Sequence, residues 1–360
     1  MSSYISKYKA IDFFCSGGGM SYGMQQAGIK ILAGIDFDKN CEETYKANIK
    51  GAEFIHADVF DLKEQELEEK LSIKKNDDNL VLIGCSPCQY WSIIYTKEKG
   101  DRANKGKNLL KEFHRFVRYF NPGYVVVENV PGVLRRKEES GLEEFIKWLE
   151  NGENKYKVHF KVHEVSEYGV PQHRQRFTLI ANRVTDKELE PEKKQGKKLT
   201  VRDVLGEKNG FPRIEAGHKD NSVFMHTTAG LEGINIKRLK LTEKDGGTRL
   251  AYADSELAPK CHKNKQDGFK DTYGRMWWDR PSPTITTRFI SISNGRFGHP
   301  EEDRAISLRE GATLQTFPKN YVFKTNSIGA AAKMIGNAVP PEYAKRVGLS
   351  IINNSSNGTI

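Results

Sequence analysis

Two short stretches of the chain are apolar at every position, 80–83 (Leu-Val-Leu-Ile) and 124–127 (Tyr-Val-Val-Val). Runs of this length, bounded by polar residues, mark strands buried on both faces. Around them, strand-like and helix-like patterns alternate. Residues 10–15 and 31–35 read as strands; 20–27, closed by Gly28, and 39–48 read as helices. Residues 54–57 read as a third strand, followed by a charged helix over 63–74. After 80–83 comes a polar, basic stretch over 95–107, read as a loop, then a helix over 110–120 that leads into 124–127. A helix over 143–149 and strands over 158–165 and 177–181 close the series. This βαβα order predicts an α/β fold, with a parallel sheet covered by helices on both faces.

The texture changes near Val184. Residues 185–198 are almost entirely charged or polar, a boundary signal. From there to about Ser293 the chain is rich in Lys, Gly and His with little helical periodicity, which predicts a smaller, irregular second domain. Helical pattern returns over 307–316 and 341–347. The expected division is a first domain over 1–183 completed by 294–350, a second over 184–293, and a disordered tail over 351–360.

Bulk composition agrees with this division. A chain of 360 residues exceeds what one ordinary core holds. With 37% hydrophobic and 29% charged residues it can build a real core, and no run approaches the ~20 apolar residues of a membrane helix. Residues 1–9 lack the apolar centre of a signal peptide. Five scattered cysteines suit a reducing cytoplasm rather than a disulfide scaffold. Fifty-seven Lys+Arg against 47 Asp+Glu give a net charge of +10. That surplus suits a polyanionic partner, because phosphate contacts release counterions; a merely basic soluble enzyme fits it too.

Chemistry collects where the predicted strands end, the edge at which open α/β sheets bind ligands. The first strand runs into Cys15-Ser16-Gly17-Gly18-Gly19, a turn that lets backbone approach a ligand closely. A dinucleotide fingerprint would need G-x-G-x-x-G; Gly17 and Gly19 fit, but Tyr22 holds the third position and Gly23 comes one residue late. Asp36, ending the second strand, could bond a ribose, and Phe37 could stack on adenine, a combination suited to any adenosine-bearing cofactor. The run 80–83 delivers Gly84-Cys85-Ser86-Pro87-Cys88-Gln89, and 124–127 delivers Glu128-Asn129-Val130. Cys88 and Glu128 together form a potential nucleophile and proton partner; a buried inert thiol and a salt-bridged carboxylate are the plain alternatives. Cys85-x-x-Cys88 is a poor redox motif with Pro87 inside it, and Cys261-His262 gives no ligand set, so no metal is assigned. Gln172, Arg174 and Arg176 alternate onto one side of a strand, either as an anion or carbonyl site or as a solvated edge. The basic stretch over 95–107 is either a closing loop or an ordinary solvated one.

Taken in order, these segments resemble the DNA (cytosine-5)-methyltransferase family. The matching motifs are 12–19 (Asp-Phe-Phe-Cys-Ser-Gly-Gly-Gly), Pro87-Cys88-Gln89, Glu128-Asn129-Val130 and Gln172-x-Arg174-x-Arg176. Arg309-Glu310 through Phe317-Pro318, and 336–341 (Gly-Asn-Ala-Val-Pro-Pro), complete the set. The similarity covers nearly all of 9–348, and the variable stretch falls where the family places its target-recognition domain. Ser16 stands where the family often has Gly, and Lys107-Asn108 where it often has Arg-Gly.

The resemblance implies a Rossmann-like methyltransferase sheet and S-adenosylmethionine as cofactor, released as S-adenosylhomocysteine. Phe14, Ser16, Gly17 and Gly19 would lie along the cofactor, with Asp36 on the ribose, Phe37 on the adenine face, and Asp58 on the adenine amine. Val59, Pro87, Leu109, Asn337 and Val339 would complete the pocket. Cys88, Glu128, Arg174 and Arg176 would be catalytic. Gln89, Ser92, Arg102, Lys105, Arg275, Arg280, Thr284 and Arg288 would meet DNA, with Thr284-Ile285 as the family's Thr-Leu pair. The implied partner is double-stranded DNA, bound by a monomer in the cytoplasm at the nucleoid, with a possible cognate restriction endonuclease. A tRNA cytosine-5 methyltransferase is the nearest rival; its usual Cys-Phe-Thr loop is missing here. A non-catalytic DNA-binding homologue is a further alternative, although such proteins tend to lose the Cys or Glu that this chain keeps.

Overall fold

The apolar runs become the centre of one sheet. The computed structural model describes residues 7–87, 101–153, 155–260 and 271–355, with backbone only for 101–107 and 354–355. Its strands are β1 (Lys9–Phe13), β2 (Lys30–Asp36), β3 (Glu53–His56), β4 (Leu80–Gly84), β5 (Tyr124–Asn129), β6 (Lys157–Glu164) and β7 (Gln175–Asn182). They form a seven-stranded sheet in the order β3-β2-β1-β4-β5-β7-β6. Every residue of β4 and β5 is buried, as continuous apolar runs require. From β1 the chain moves outward to β2 and β3, then crosses to β4 and β5, so the strand order reverses between β1 and β4. That switch point opens a crevice at the carboxyl ends of the strands.

β1 through β5 pair in parallel. β7 departs from the all-parallel expectation, running antiparallel to both β5 and β6. The connection 165–174 leaves no room for a crossover helix, and parallel neighbours need about a dozen or more connecting residues.

The chain divides into two compact units, 1–168 with 175–194 and 339–360, and 169–174 with 195–338. In the first, the sheet is covered by α1 (Gly19–Gln26), α2 (Glu42–Asn48), α3 (Glu64–Leu71), α4 (Asp101–Phe120), the single turns α5 (Gly132–Arg135) and α6 (Lys137–Ser140), and α7 (Leu142–Asn151). Helix α4 begins at Asp101, inside the stretch expected to be a loop; its charges and glycines hid the helical register. Phe113 and Phe116 of α4 pack on Phe13 of β1, with ring centroids 5.4 and 4.8 Å apart. Gly84 makes this possible, because a Cβ there would lie 2.7 Å from the Phe113 ring.

The second unit holds α8 (Val201–Val204), α9 (Gly233–Leu241), α10 (Leu308–Leu314) and α11 (Ile328–Asn337) between long irregular segments. Residues 294–338, expected with the sheet, group with 195–293. Ties between the two stretches explain this: Arg275 donates to His299 O at 3.0 Å and to Glu302 O at 2.6 Å. Arg304 donates to both Glu310 carboxylate oxygens at 2.7 and 2.9 Å and to Glu302 at 3.0 Å. His226 Nδ1 meets Ser307 Oγ at 2.8 Å, tying the start of α10 to the irregular segment. Helix α11, capped by Ser327 Oγ accepting from Ala330 N at 3.1 Å, was not anticipated. α12 (Pro341–Ser355) returns to the first unit and packs on α1, so closely that a Cβ on Gly23 would lie 2.3 Å from the Pro341 carbonyl. The described residues include no helix long and apolar enough to cross a membrane.

Candidate active site

The loop after β1 is held in an unusual shape. Phe14 and Ser16 have φ of 64° and 46°, and Gly18 has 89°. Left-handed backbone at two non-glycine residues carries strain that the surroundings must hold. Phe14 N and Cys15 N both donate to Ile35 O, at 2.8 and 3.1 Å, tying the loop to β2. Asp36 adds a second tie, since its carboxylate accepts from Ser16 N and Asp38 N at 2.8 Å each. Asp36, expected on a ribose, thus also shapes the glycine loop. Phe37 beside it is 68% exposed, an aromatic face open to solvent. Gly17 and Gly19 are buried, and Asp58 and Leu109 are half-buried. Val59 and Val339 are buried apolar residues of the same unit.

Beneath the loop lies a buried carboxyl with no sequence-assigned role. Asp12 is fully buried in β1 and accepts from Ser21 Oγ at 2.6 Å. Ser21 Oγ in turn meets the Tyr45 hydroxyl at 2.8 Å, joining β1, α1 and α2. Burial pushes the Asp12 carboxyl up to about 7, against the Ser21 hydrogen bonds that pull it down.

The ends of β4, β5 and β7 bring the polar residues together. Glu128 is buried at the end of β5, and its Oε1 lies 2.8 Å from Arg176 Nε on β7. The two side chains are 9% and 11% exposed, so this is an interior ion pair rather than a solvated edge. The antiparallel pairing places them, because Glu128 is in register with Thr178 and Asn129 with Phe177. Asn129 Nδ2 donates to Ser86 Oγ at 3.1 Å and to Ser86 O at 3.4 Å, while its Oδ1 accepts from Val130 N at 2.8 Å. Asn129 therefore locks the chain at Ser86-Pro87, directly before Cys88. The sequence reading gave Asn129 no role of its own; its place after Glu128, next to a strand end, was the available signal. Cys88, Gln89 and Ser92 lie outside the described residues, as do the side chains of Arg102 and Lys105.

The neighbouring thiol, Cys85, is poorly suited to attack. Burial pushes it well above its usual range, and the charges of Asp12 and Glu128 push the same way. No group of three or more His, Cys, Asp or Glu able to hold a metal occurs among the described residues.

The family model for C-5 cytosine-specific DNA methylases matches residues 8–353. This chain belongs to that family. Among curated relatives, it is 37% identical over 346 residues to the type II methylase M.HgiDII of Herpetosiphon aurantiacus, covering 95% of this chain and 94% of that one. It is 29% identical over 354 residues to the type II methyltransferase M1.HphI of Haemophilus parahaemolyticus, covering 98% and 89%. Among solved structures, a protein encoded within an E. coli prophage and described as a DNA modification methyltransferase superposes with a TM-score of 0.74 at 21% identity, over 97% of this chain and 100% of that one. The Dnmt2 methyltransferase of S. pombe gives 0.65 at 15% identity, over 97% and 99%; at such identities the likeness is one of fold. The Rossmann-like methyltransferase fold and DNA cytosine-5 methylation expected from the sequence both stand.

In the second unit of this methylase, several expected site residues turn out to be ties. Arg174 is 2% exposed and donates to Ile285 O at 2.9 Å, Gly336 O at 3.2 Å and Ala338 O at 3.1 Å. Its guanidinium ties two backbone segments, at Ile285 and at 336–338, to its own stretch of chain. Gln172 works alongside it, accepting from Ile285 N at 2.9 Å and donating to Gln315 Oε1 at 2.8 Å. Thr284 Oγ1 donates to His173 O at 2.7 Å, which anchors the Thr284-Ile285 pair to this core. Asn337 ends α11 and is exposed.

Arg275 is corrected outright. It is 0% exposed and donates to the carbonyls of Leu239, Thr242, His299 and Glu302 and to Asp303. A guanidinium enclosed in this way cannot reach a base edge. Arg280 and Arg288 are exposed, and Arg280 lies over the Trp277 ring, 4.4 Å from its centroid. Net charge could not sort these arginines, since burial depends on the fold around each one.

Proposed function

We propose that this methylase transfers a methyl group from S-adenosylmethionine to C5 of a cytosine flipped out of duplex DNA, through a transient bond from Cys88 to C6. The observation that carries the reading is the interior Glu128–Arg176 pair, one residue from the Asn129 that holds the chain before Cys88. Cytosine C5 is a weak nucleophile. Addition of the Cys88 thiolate at C6 shifts ring electrons to C5, where the new carbon–carbon bond forms. Glu128, hydrogen-bonded to N3 and the exocyclic amine, stabilises the charge developing on the ring. Arg176 orients Glu128 and reaches the O2 carbonyl. Loss of the C5 proton then expels Cys88 and restores the aromatic ring. The target base must leave the stack to meet Cys88, at a cost of a few kcal/mol.

The residues present fit the cofactor. The left-handed turn at Phe14, Ser16 and Gly18 brings backbone to the switch point between β1 and β4, while Asp36 and the exposed Phe37 stand at the end of β2. When bound, S-adenosylmethionine supplies an electrophilic methyl group on its sulfonium. Phe14, Ser16, Gly17 and Gly19 would line it, Asp36 would bind the ribose, Phe37 would cover the adenine, and Asp58 would accept from the adenine amine. Val59, Pro87, Leu109 and Val339 would enclose it.

The type II methylases among its relatives support a place in restriction–modification; we further propose that the protein acts as a monomer in the cytoplasm on nucleoid DNA, beside a cognate endonuclease. A duplex carrying 5-fluorocytosine at the target position should be trapped covalently on the protein when the methyl donor is present, because fluorine blocks the final proton loss. No trapped complex at a site mapped by bisulfite sequencing would end the proposal. DNA affinity should also fall steeply with salt, with log K declining by roughly 0.9 per phosphate contacted for each decade of salt. A flat titration between 50 and 200 mM, as about the range tested, would argue against a phosphate-lined groove.

A further inference from the structure

Helix α4 does more than cover the sheet. Its Arg115 reaches across to the turn that follows β3. That turn is built on Asp58, whose Oδ1 accepts from Phe60 N at 3.1 Å and whose carbonyl accepts from Asp61 N and Leu62 N at 3.0 and 3.1 Å. The outward carbonyls of the turn, Val59 O and Leu62 O, both accept from Arg115 Nη2, at 2.9 and 3.0 Å. The guanidinium is itself held in place. Nη1 pairs with Glu64 Oε2 at 2.7 Å, Nε pairs with Glu112 Oε2 at 3.0 Å, and the group lies over the Phe116 ring, 4.5 Å from its centroid. Four acceptors therefore surround one planar fork, an arrangement an ammonium group cannot reproduce.

We propose that Arg115 is a positioning residue for cofactor recognition: it fixes the turn that presents Asp58 to the adenine amine. The inference rests on the assignment of Asp58 to that amine. Arg115 does not touch the cofactor; it acts through the backbone on either side of the residue that does. The same helix carries Leu109, assigned to the pocket, so α4 sets two parts of the adenine site at once. Neither residue spacing nor local pattern joins positions 58 and 115; the sheet brings them together.

The test separates recognition of adenine from general stability. Binding of S-adenosylhomocysteine is compared with binding of S-inosylhomocysteine, in which a ring carbonyl replaces the amine. Titration calorimetry is run on the full chain and its Asp58→Ala, Arg115→Ala and Arg115→Lys variants, with thermal unfolding alongside. The wild type should prefer the adenine form by about tenfold, Asp58→Ala should abolish the preference, and Arg115→Ala should cut it at least about threefold, the lower end of what one ordinary hydrogen bond contributes. Arg115→Lys should fall between, because it keeps the charge and the stem but loses the fork. A merely structural Arg115 would lower the melting temperature and leave the preference intact. Preference lost in Asp58→Ala but retained in both Arg115 variants overturns the inference while sparing the Asp58 assignment. Preference retained in Asp58→Ala, or absent from the wild type, overturns both. Should Arg115→Ala fail to fold, Arg115→Lys decides by the same comparison.

Discussion

Cys88→Ser is expected to lower methyl transfer by at least ~10⁴-fold, the range seen when an enzyme loses its nucleophile. A hydroxyl is far less acidic than a thiol, and nothing in the proposed chemistry replaces the sulfur once the C6 bond cannot form. Binding of S-adenosylhomocysteine should be nearly unchanged, since most residues assigned to the cofactor sit in the loop after β1, at the end of β2, in the turn after β3 and on α4. The decisive measurement is single-turnover transfer of tritiated methyl groups to a duplex, run beside a cofactor titration. Turnover within tenfold of wild type, as a rough bound, would mean that another group attacks the ring. Cys85 is a weak substitute, because burial and the charges of Asp12 and Glu128 hold its thiol protonated.

Arg304→Met should be the most damaging substitution for stability, at about 3–5 kcal/mol, because it strands a buried carboxylate. Arg304 and Glu310 are 1% and 0% exposed. Burial, the largest single influence on Glu310, raises its carboxyl, yet the charge and hydrogen bonds of Arg304, with His299 and His226, bring it down to about 2. A depressed carboxyl contributes stability that is present above its unfolded value near ~4.3 and is lost as pH falls toward the folded one. In the variant the sign reverses. Glu310 without its partner binds a proton more readily folded than unfolded, so the deficit should narrow as pH drops from about 7 to about 5. Urea unfolding followed by tryptophan fluorescence senses this region, because one of the four tryptophans, Trp278, packs on His299 with ring centroids 5.4 Å apart. A deficit that stays constant with pH would place the loss elsewhere. Arg304→Met combined with Glu310→Met should recover part of it, since a removed pair costs less than a broken one.

The local chemistry of the first unit was largely legible from the residues. Short continuous apolar runs bounded by polar residues mark strands buried on both faces, so 80–83 and 124–127 set the sheet centre and led Cys85 to Pro87 and Glu128 to one edge. The glycine turn after β1 was readable because few residues tolerate its backbone angles, although Phe14 and Ser16 share the left-handed conformation that glycine alone was expected to supply. The start of α4 at Asp101 was hidden, because charges and glycines resemble a loop when the buried face of a helix is not yet known.

In the second unit the sequence said least. Arginine carries no label for buried or exposed. Arg275 became an internal cross-link through carbonyls far along the chain, Arg304 was buried against its near neighbours Glu302 and Glu310, and Arg280 remained at the surface. Arg174 shared a motif with Arg176, yet one binds three backbone carbonyls and the other a carboxylate.

The order of residue types along this chain thus set the strands, the glycine turn, and which carboxylate ends up at the end of β5, because these depend on neighbours within a few positions. Tertiary structure decided the reversal of β7, the pairing of Glu128 with Arg176, the tie from Asn129 to Ser86, and the reach of Arg115 to the Asp58 turn. Each of those joins residues distant in the chain, and only the packed sheet and its helices bring their side chains within hydrogen-bonding distance.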